Sequence, residues 1–260
     1  MAALCLVLYT IVISRVSRRT DVVFGGAEGG YISSDSVSFT DPDMLNTPEP
    51  TADIWPDIDI NLNQYTMVND ENLLASAFDP DVAKIDGTYN MMFDAAALPY
   101  LNQLIKASND AGFDVYVGGA YRSYSYQTIL FNGKASQIAE GLGVTDYMDP
   151  KYQEAVEEAR TITMYPGSSE HQLGLAVDLF DKKYSKMVYE NMNHEFFEWL
   201  DAHCAEYGFI KRFPTRKLLL TGWDEPWHYR YVGVEVATFI MEQGLCYEEF
   251  YAHYVTDFVY

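Results

Sequence analysis

The chain contains five histidines, His171, His194, His203, His228 and His253, and two of them stand in settings suited to metal chemistry. His171 lies in Ser169-Glu-His-Gln-Leu-Gly174-Leu-Ala176-Val-Asp178, directly after the loop signal Pro166-Gly-Ser-Ser169. Asp178 follows inside the otherwise apolar run Leu175–Phe180, which reads as a short strand. A carboxylate in such a run must be paired, hydrogen-bonded or bound to a metal, because burying it alone is costly. Small Gly174 and Ala176 leave room between the two for close backbone approach. The second setting is Asp224-Glu-Pro-Trp-His-Tyr-Arg230. Pro226 cannot donate to a strand ladder and so marks the strand's start, which leaves Glu225 in the preceding loop while His228 projects from the strand. A catalytic zinc needs three protein ligands of imidazole or carboxylate type and one open position for water. His171, Asp178 and His228 can supply the ligands, and Glu225 a base that is not itself a ligand. His194, His203 and His253 have no such partners nearby and read as surface or helix-face residues.

These residues need a scaffold, and apolar spacing outlines one. Ala97, Leu98, Leu101, Leu104 and Ile105 form a helical stripe over residues 96–111 closed by Gly112. Asp114–Gly118 reads as a strand and Tyr126–Glu140 as a helix. Asp149-Pro150 supplies an N-cap with proline at the first helical position, and Ala155, Val156 and Ala159 carry that helix on. Phe196, Trp199, Leu200, Cys204 and Tyr207 line one helical face that stops at Gly208. A strand over residues 227–232 and a helix over 235–243, ended by Gly244, complete the outline. Together they predict an α+β fold with a small, mainly antiparallel sheet carrying the site and helices packed on it.

Composition limits the rest. Lys and Arg number 17 against 38 Asp and Glu, for a formal charge of −21. Such a surface repels phosphate backbones, so no nucleic-acid partner is expected. At 48% hydrophobic and 21% charged, most of the chain can bury a core. Residues 1–19 open with an apolar run from Ala2 to Ile13, followed by Arg15, Arg18 and Arg19. The run is shorter than the roughly 20 residues needed to span a bilayer. It reads as a signal or anchor segment that lacks upstream residues, because its charges follow the run instead of preceding it. Residues 20–60 carry nine acids, no Lys or Arg and four prolines, the composition of an acidic disordered linker. A globular domain of residues 61–260, expected to be monomeric, follows. Cys204 and Cys246 can pair or sit as buried thiols; three cysteines without a CxxC spacing favour the second reading.

Ser-x-His-x-x-Gly-x-Ala-x-Asp followed by Glu-x-Trp-His resembles the zinc D-alanyl-D-alanine carboxypeptidases of the VanY type. These belong to the LAS group with lysostaphin-like enzymes, D-Ala-D-Ala dipeptidases and hedgehog domains. Gly118-Gly-Ala-Tyr-Arg-Ser-Tyr124 with Gln127, and Tyr247-Glu-Glu-Phe250 near the end, fit the same pattern. The segment Met67-Val-Asn-Asp-Glu-Asn-Leu73 matches the family's Val-Asn-Lys-x-Asn-Pro-Leu only loosely. The resemblance implies Zn²⁺ held by His171, Asp178 and His228, Glu225 moving the proton and Arg122 facing the oxyanion. It further implies substrate contacts from Ser169 and Gln127, with Tyr121 and Trp227 lining the cleft, Trp227 as a wall beside the metal. The implied substrate is the peptidoglycan stem peptide, cut before its terminal D-alanine by a D,D- or an L,D-carboxypeptidase. The implied place is the bacterial cell envelope, outside the cytoplasm, with the N-terminal segment secreting or anchoring the domain. The alternatives are a D,D-dipeptidase or a non-catalytic, zinc-stabilised wall-binding domain. Glu225 and Arg122 favour an enzyme, since a structural site needs neither.

Overall fold

The structure, a computed structural model, describes residues 54–184 and 192–258. The N-terminal apolar segment and most of the expected linker lie outside these residues. In chain order the elements are β1 (Val82–Lys84), β2 (Met92–Asp94), α1 (Leu98–Asp110), β3 (Val115–Gly119), α2 (Tyr124–Gly141), α3 (Pro150–Arg160), β4 (Ala176–Asp181), α4 (His194–His203), β5 (Phe209–Lys211), α5 (Leu218–Thr221), β6 (His228–Tyr231), α6 (Val234–Gln243) and α7 (Tyr247–Tyr254). The fold is α+β, as expected. The short hairpin β1–β2 and strand β5 have no counterpart in the sequence reading, because three residues are too few to establish an alternating pattern.

Two compact units make up the chain. Within the described residues, one comprises Val68–Phe78 and Arg122–Gln172. Its body is α2 packed on α3. Ser123 caps α2 by accepting from the Tyr126 amide at 3.2 Å, and Asp149 caps α3 by accepting from Lys151 at 2.9 Å. Each such cap contributes about 1 kcal/mol. Phe131, Ala135 and Ala159 are buried together, as are Ala139, Val144 and Ala155. The alanines let the two helices approach closely, and Phe131 fills the remaining space against Tyr165 at 5.1 Å. The loop after α3 is tied to residues 68–78 by Leu74 N donating to Gly167 O at 2.9 Å and by Gln172 Nε2 donating to Ala75 O at 3.0 Å.

The second unit holds the remaining described residues and the main sheet, with strand order β3-β4-β6-β5 and every pairing antiparallel. All six residues of the inner strand β4 are buried. On one sheet face Tyr229 donates its hydroxyl to Asp201 of α4 at 2.8 Å, and Lys211 reaches the other oxygen of Asp201 at 2.6 Å. Helix α4 runs into a 3-10 turn that ends at Gly208, whose φ of 80° sends the chain back into β5. A second buried cluster joins Ile210, Val232, Val236, Ile240, Tyr247 and Phe250. Cys204 and Cys246 are both buried and free, and burial pushes both thiols well above their ordinary range.

Packing contacts begin before the boundary expected at Asn61. Trp55, Ile58 and Ile60 pack against the cluster beneath α6 and α7. The Trp55 ring stacks on His253 with centroids 3.8 Å apart and planes 2° from parallel, and Tyr254 donates to Pro56 O at 2.6 Å. These side chains are anchored one at a time by an extended segment, so no periodicity announces them. Chains starting at residue 61 should therefore be less stable than chains starting at residue 54. We expect a loss of about 2–4 kcal/mol, near the low end for removing a buried aromatic because Trp55 is only half-buried. Urea unfolding of the two fragments measures the difference, and equal midpoints would return residues 54–60 to the linker.

Candidate metal centre

The centre is assembled by strand pairing. Asp178 in β4 sits directly opposite His228 in β6, with Ala176 opposite Arg230 and Val177 opposite Tyr229. Side chains opposite one another in an antiparallel pair share a face, so the carboxylate and the imidazole meet although 50 residues separate them. Asp178 Oδ1 lies 3.1 Å from His228 Nδ1. His171 is carried by the 3-10 turn Glu170–Leu173, from which the chain passes through Gly174 (φ 77°) directly into β4. Among the described residues, His171, Asp178 and His228 form one group able to hold a metal, with all their ligand atoms within 4.8 Å of one another. Exposure is 1% for His171, 9% for Asp178 and 1% for His228, so these donors have left bulk water.

The donor chemistry fits zinc. Two imidazoles and one carboxylate suit a borderline ion, whereas calcium and magnesium prefer sets made of oxygen. Tetrahedral bonds of about 2.0–2.1 Å imply ligand atoms about 3.3 Å apart, close to the observed Asp178–His228 separation. Room for the carboxylate comes from Gly119, which faces Asp178 across a bulge between β3 and β4. A Cβ on Gly119 would lie 2.2 Å from Asp178 Oδ2.

Glu225 reaches the same place through a tight turn. His228 N donates to Glu225 O at 3.1 Å, with Pro226 and Trp227 at the turn's two central positions, and Pro is favoured at the first of them because its φ is preset. The turn brings Glu225 Oε2 to 3.7 Å from His228 Nδ1 while leaving the carboxylate 23% exposed. The Glu-Pro-Trp-His spacing thus delivers a metal-binding edge and a carboxylate beside it, still in contact with solvent.

The other expected site residues are distributed as follows. Arg122 opens the segment that leads to α2, and its amide donates to His171 O at 3.1 Å. Ser169 is buried two residues before His171, and its Oγ has no protein partner. Gln127 is buried on α2; its amide nitrogen donates to Met164 O at 2.7 Å and its Oε1 has no protein partner. Tyr121 is half-buried, with its amide bonded to Met92 O, and burial followed by the nearby Asp79 charge raises its hydroxyl. Trp227 stacks on Phe180 at 5.9 Å, and Phe180 on Tyr116 at 5.4 Å, which suits a wall. Arg230, two residues after His228, donates to the carbonyls of Gln64 at 2.9 Å and Thr66 at 3.2 Å. Two residues about the centre were not foreseen: Gly119, and Phe213, whose ring lies 5.0 Å from that of His228. Gly119 lay in a quoted motif, but its reason is spatial. Phe213 carries no local signal, because it meets His228 only through the β5–β6 pairing.

Gly119→Ala should therefore push the Asp178 carboxylate aside. We expect zinc affinity to fall roughly 10–100-fold, the usual range when the support of a ligand is altered, with the far-ultraviolet spectrum retained. Competition with a chromophoric chelator measures it; unchanged affinity would show that Asp178 tolerates the methyl group.

Known proteins resemble this chain over most of its described residues. The chain is 35% identical over 185 residues to a D-alanyl-D-alanine carboxypeptidase of Enterococcus faecalis, covering 71% of this chain and 64% of that relative's length. A crystal structure of a vancomycin-resistance D,D-pentapeptidase VanY in complex with Zn(II) superposes with a TM-score of 0.61 at 34% identity, over 73% of this chain and 99% of that one. VanYB in complex with D-alanine-D-alanine gives a TM-score of 0.59 at 35% identity, over 71% and 94%. The family model for VanY, D-alanyl-D-alanine carboxypeptidase, matches residues 90–234. That match spans more than half of the chain and takes in the ligand group and Glu225, and the chain belongs to the VanY family of D-alanyl-D-alanine carboxypeptidases.

Proposed function

We propose that this protein is a zinc-dependent carboxypeptidase that removes the C-terminal D-alanine from peptidoglycan stem peptides. The observation that carries the reading is the three-donor group His171, Asp178 and His228 with Glu225 Oε2 at 3.7 Å from His228 Nδ1. Held by His171, Asp178 and His228, zinc would lower the pKa of a water at the open position toward about 7, so that the water could be deprotonated at neutral pH. Glu225 accepts the water's proton at its carboxylate and returns it to the departing D-alanine amine, one residue serving as base and then as acid. Giving the proton to the amine restores the Glu225 carboxylate for the next turnover. Arg122 faces the negative charge that grows on the scissile carbonyl oxygen, and its amide bond to the His171 carbonyl ties it to a ligand's own turn. Ser169 and Gln127 offer the Oγ and Oε1 that the protein leaves without partners, which suits hydrogen bonds to the substrate peptide. A non-catalytic wall-binding domain would have no use for Glu225 beside the donors.

The substrate lies in the wall, so the domain acts in the cell envelope, outside the cytoplasm, as a monomer. Among the described residues no helix is long and apolar enough to cross a membrane. The expected signal or anchor, and the acidic linker that would hold the domain within reach of the wall, belong to the residues outside that description.

Mass spectrometry of muropeptides incubated with the zinc-loaded protein tests the activity. Loss of one alanine from pentapeptide is the expected result; loss from tetrapeptide would make the enzyme L,D-specific, and release of a dialanine unit would make it a dipeptidase. His171→Ala, Asp178→Ala and His228→Ala should each lose both zinc and turnover, and full zinc occupancy in all three would sink the ligand assignment. Glu225→Gln should keep zinc while turnover falls by at least about 10²–10⁴-fold, the contribution of a positioned acid–base group. Near-normal turnover in that variant would assign the proton to another group.

A further inference from the structure

On the far side of His228 from Asp178's strand lies a buried ion pair that the reaction does not use. Arg212 follows β5, and its guanidinium makes two parallel bonds to Glu248 of α7, Nη1 to Oε2 at 3.0 Å and Nη2 to Oε1 at 2.7 Å. The side chains are 1% and 3% exposed. The same guanidinium lies over the ring of Phe213 at 4.7 Å and over that of Tyr247 at 5.4 Å. Arg212 also touches the histidine's own strand, its amide donating to His228 O at 3.2 Å. The next residue, Phe213, sets its ring against the His228 imidazole at 5.0 Å and 41°.

We propose that the Arg212–Glu248 pair is a positioning device for the zinc-binding imidazole of His228, acting through Phe213. A bidentate guanidinium–carboxylate pair fixes orientation as well as distance, so α7 dictates where the Arg212 plane lies. The Phe213 ring lies beneath that plane and also against the imidazole. From this side His228 is met at its carbonyl by the Arg212 amide and at its ring by the Phe213 ring, while Asp178 faces the imidazole from the other. A histidine free to turn about its side-chain bonds would hold its nitrogen toward Asp178 for only part of the time, and metal affinity would fall by that fraction. Stability alone does not account for the pair, since well-packed apolar residues often replace buried ion pairs without loss. The inference rests on His228 being a zinc ligand.

The test is zinc binding by folded protein, with activity set aside. In the full-length chain, Arg212→Met combined with Glu248→Leu should keep an apo thermal midpoint within a few degrees of the parent. Its zinc affinity, read by chelator competition, should be about tenfold or more weaker, the usual effect of disturbing a ligand's support. The visible bands of the Co²⁺-substituted protein should shift, reporting altered ligand geometry. Phe213→Leu, which leaves the pair intact, should act in the same direction, and the triple variant should be little worse than either. Unchanged zinc affinity and Co²⁺ spectrum in a folded variant would overturn the proposal. If the double variant fails to fold, the same two readouts on Phe213→Leu decide it. His228→Ala separates the premise from the inference: if it keeps full zinc affinity, the ligand assignment fails and the device fails with it.

Discussion

Antiparallel pairing of β4 with β6 is the constraint on which the centre depends. It sets Asp178 across from His228 on one face, while Val177 and Tyr229 point to the other. Because side chains alternate strictly along a strand, a register slip of one residue would turn Asp178 toward the face where Tyr229 and Lys211 engage Asp201. The two faces hold this register jointly. One requires a donor pair at ligand distance, the other a hydroxyl and an ammonium meeting the same carboxylate. The bulge beside Gly119 and the absence of a Cβ there let β3 close on Asp178 without displacing it.

A carboxylate buried in a sheet raises the free energy of the fold unless something meets its charge. Here the His228 imidazole stands at hydrogen-bond distance from Asp178, and a bound cation would meet the charge directly. The same logic runs through the rest of the sheet's unit. The chain carries few cations, and several lie inside it. Arg212 is bonded to Glu248, Lys217 to Glu249 and Arg230 to backbone carbonyls. All three cations are nearly inaccessible to solvent. Three of the 17 Lys and Arg residues are thus buried and add nothing to the balance of charge at the surface. The net acidic surface suits repulsion of polyanions.

The unit built on α2 and α3 contributes differently. Its alanine-rich contact lets α2 and α3 pack closely, and its loop carries Ser169 and His171. The ties from that loop to residues 74 and 75 fix a turn that would otherwise be free. The segment that matches the family pattern only loosely, residues 67–73, thus adjoins the anchor of the ligand loop.

Much was legible in the sequence because it is local. Asp149-Pro150 marked a helix start through capping and a preset φ. Gly208 and Gly244 marked helix ends, and an Asp within an apolar run had to mean a paired or metal-bound carboxylate. The Glu-Pro-Trp-His spacing already contained the turn that sets Glu225 beside His228. By itself, then, the sequence determined the α+β class, the order of most elements, the ligand candidates and the zinc chemistry their types allow. Other features were decided only by tertiary structure, because they join residues far apart in the chain. Trp55 meets His253, Gly119 meets Asp178, and Arg212 meets Glu248 while its neighbour meets His228. None of these pairs leaves a periodic trace, since each depends on which strands align and in which register. Register is set by burial summed over whole faces, a quantity that no short stretch of residues contains.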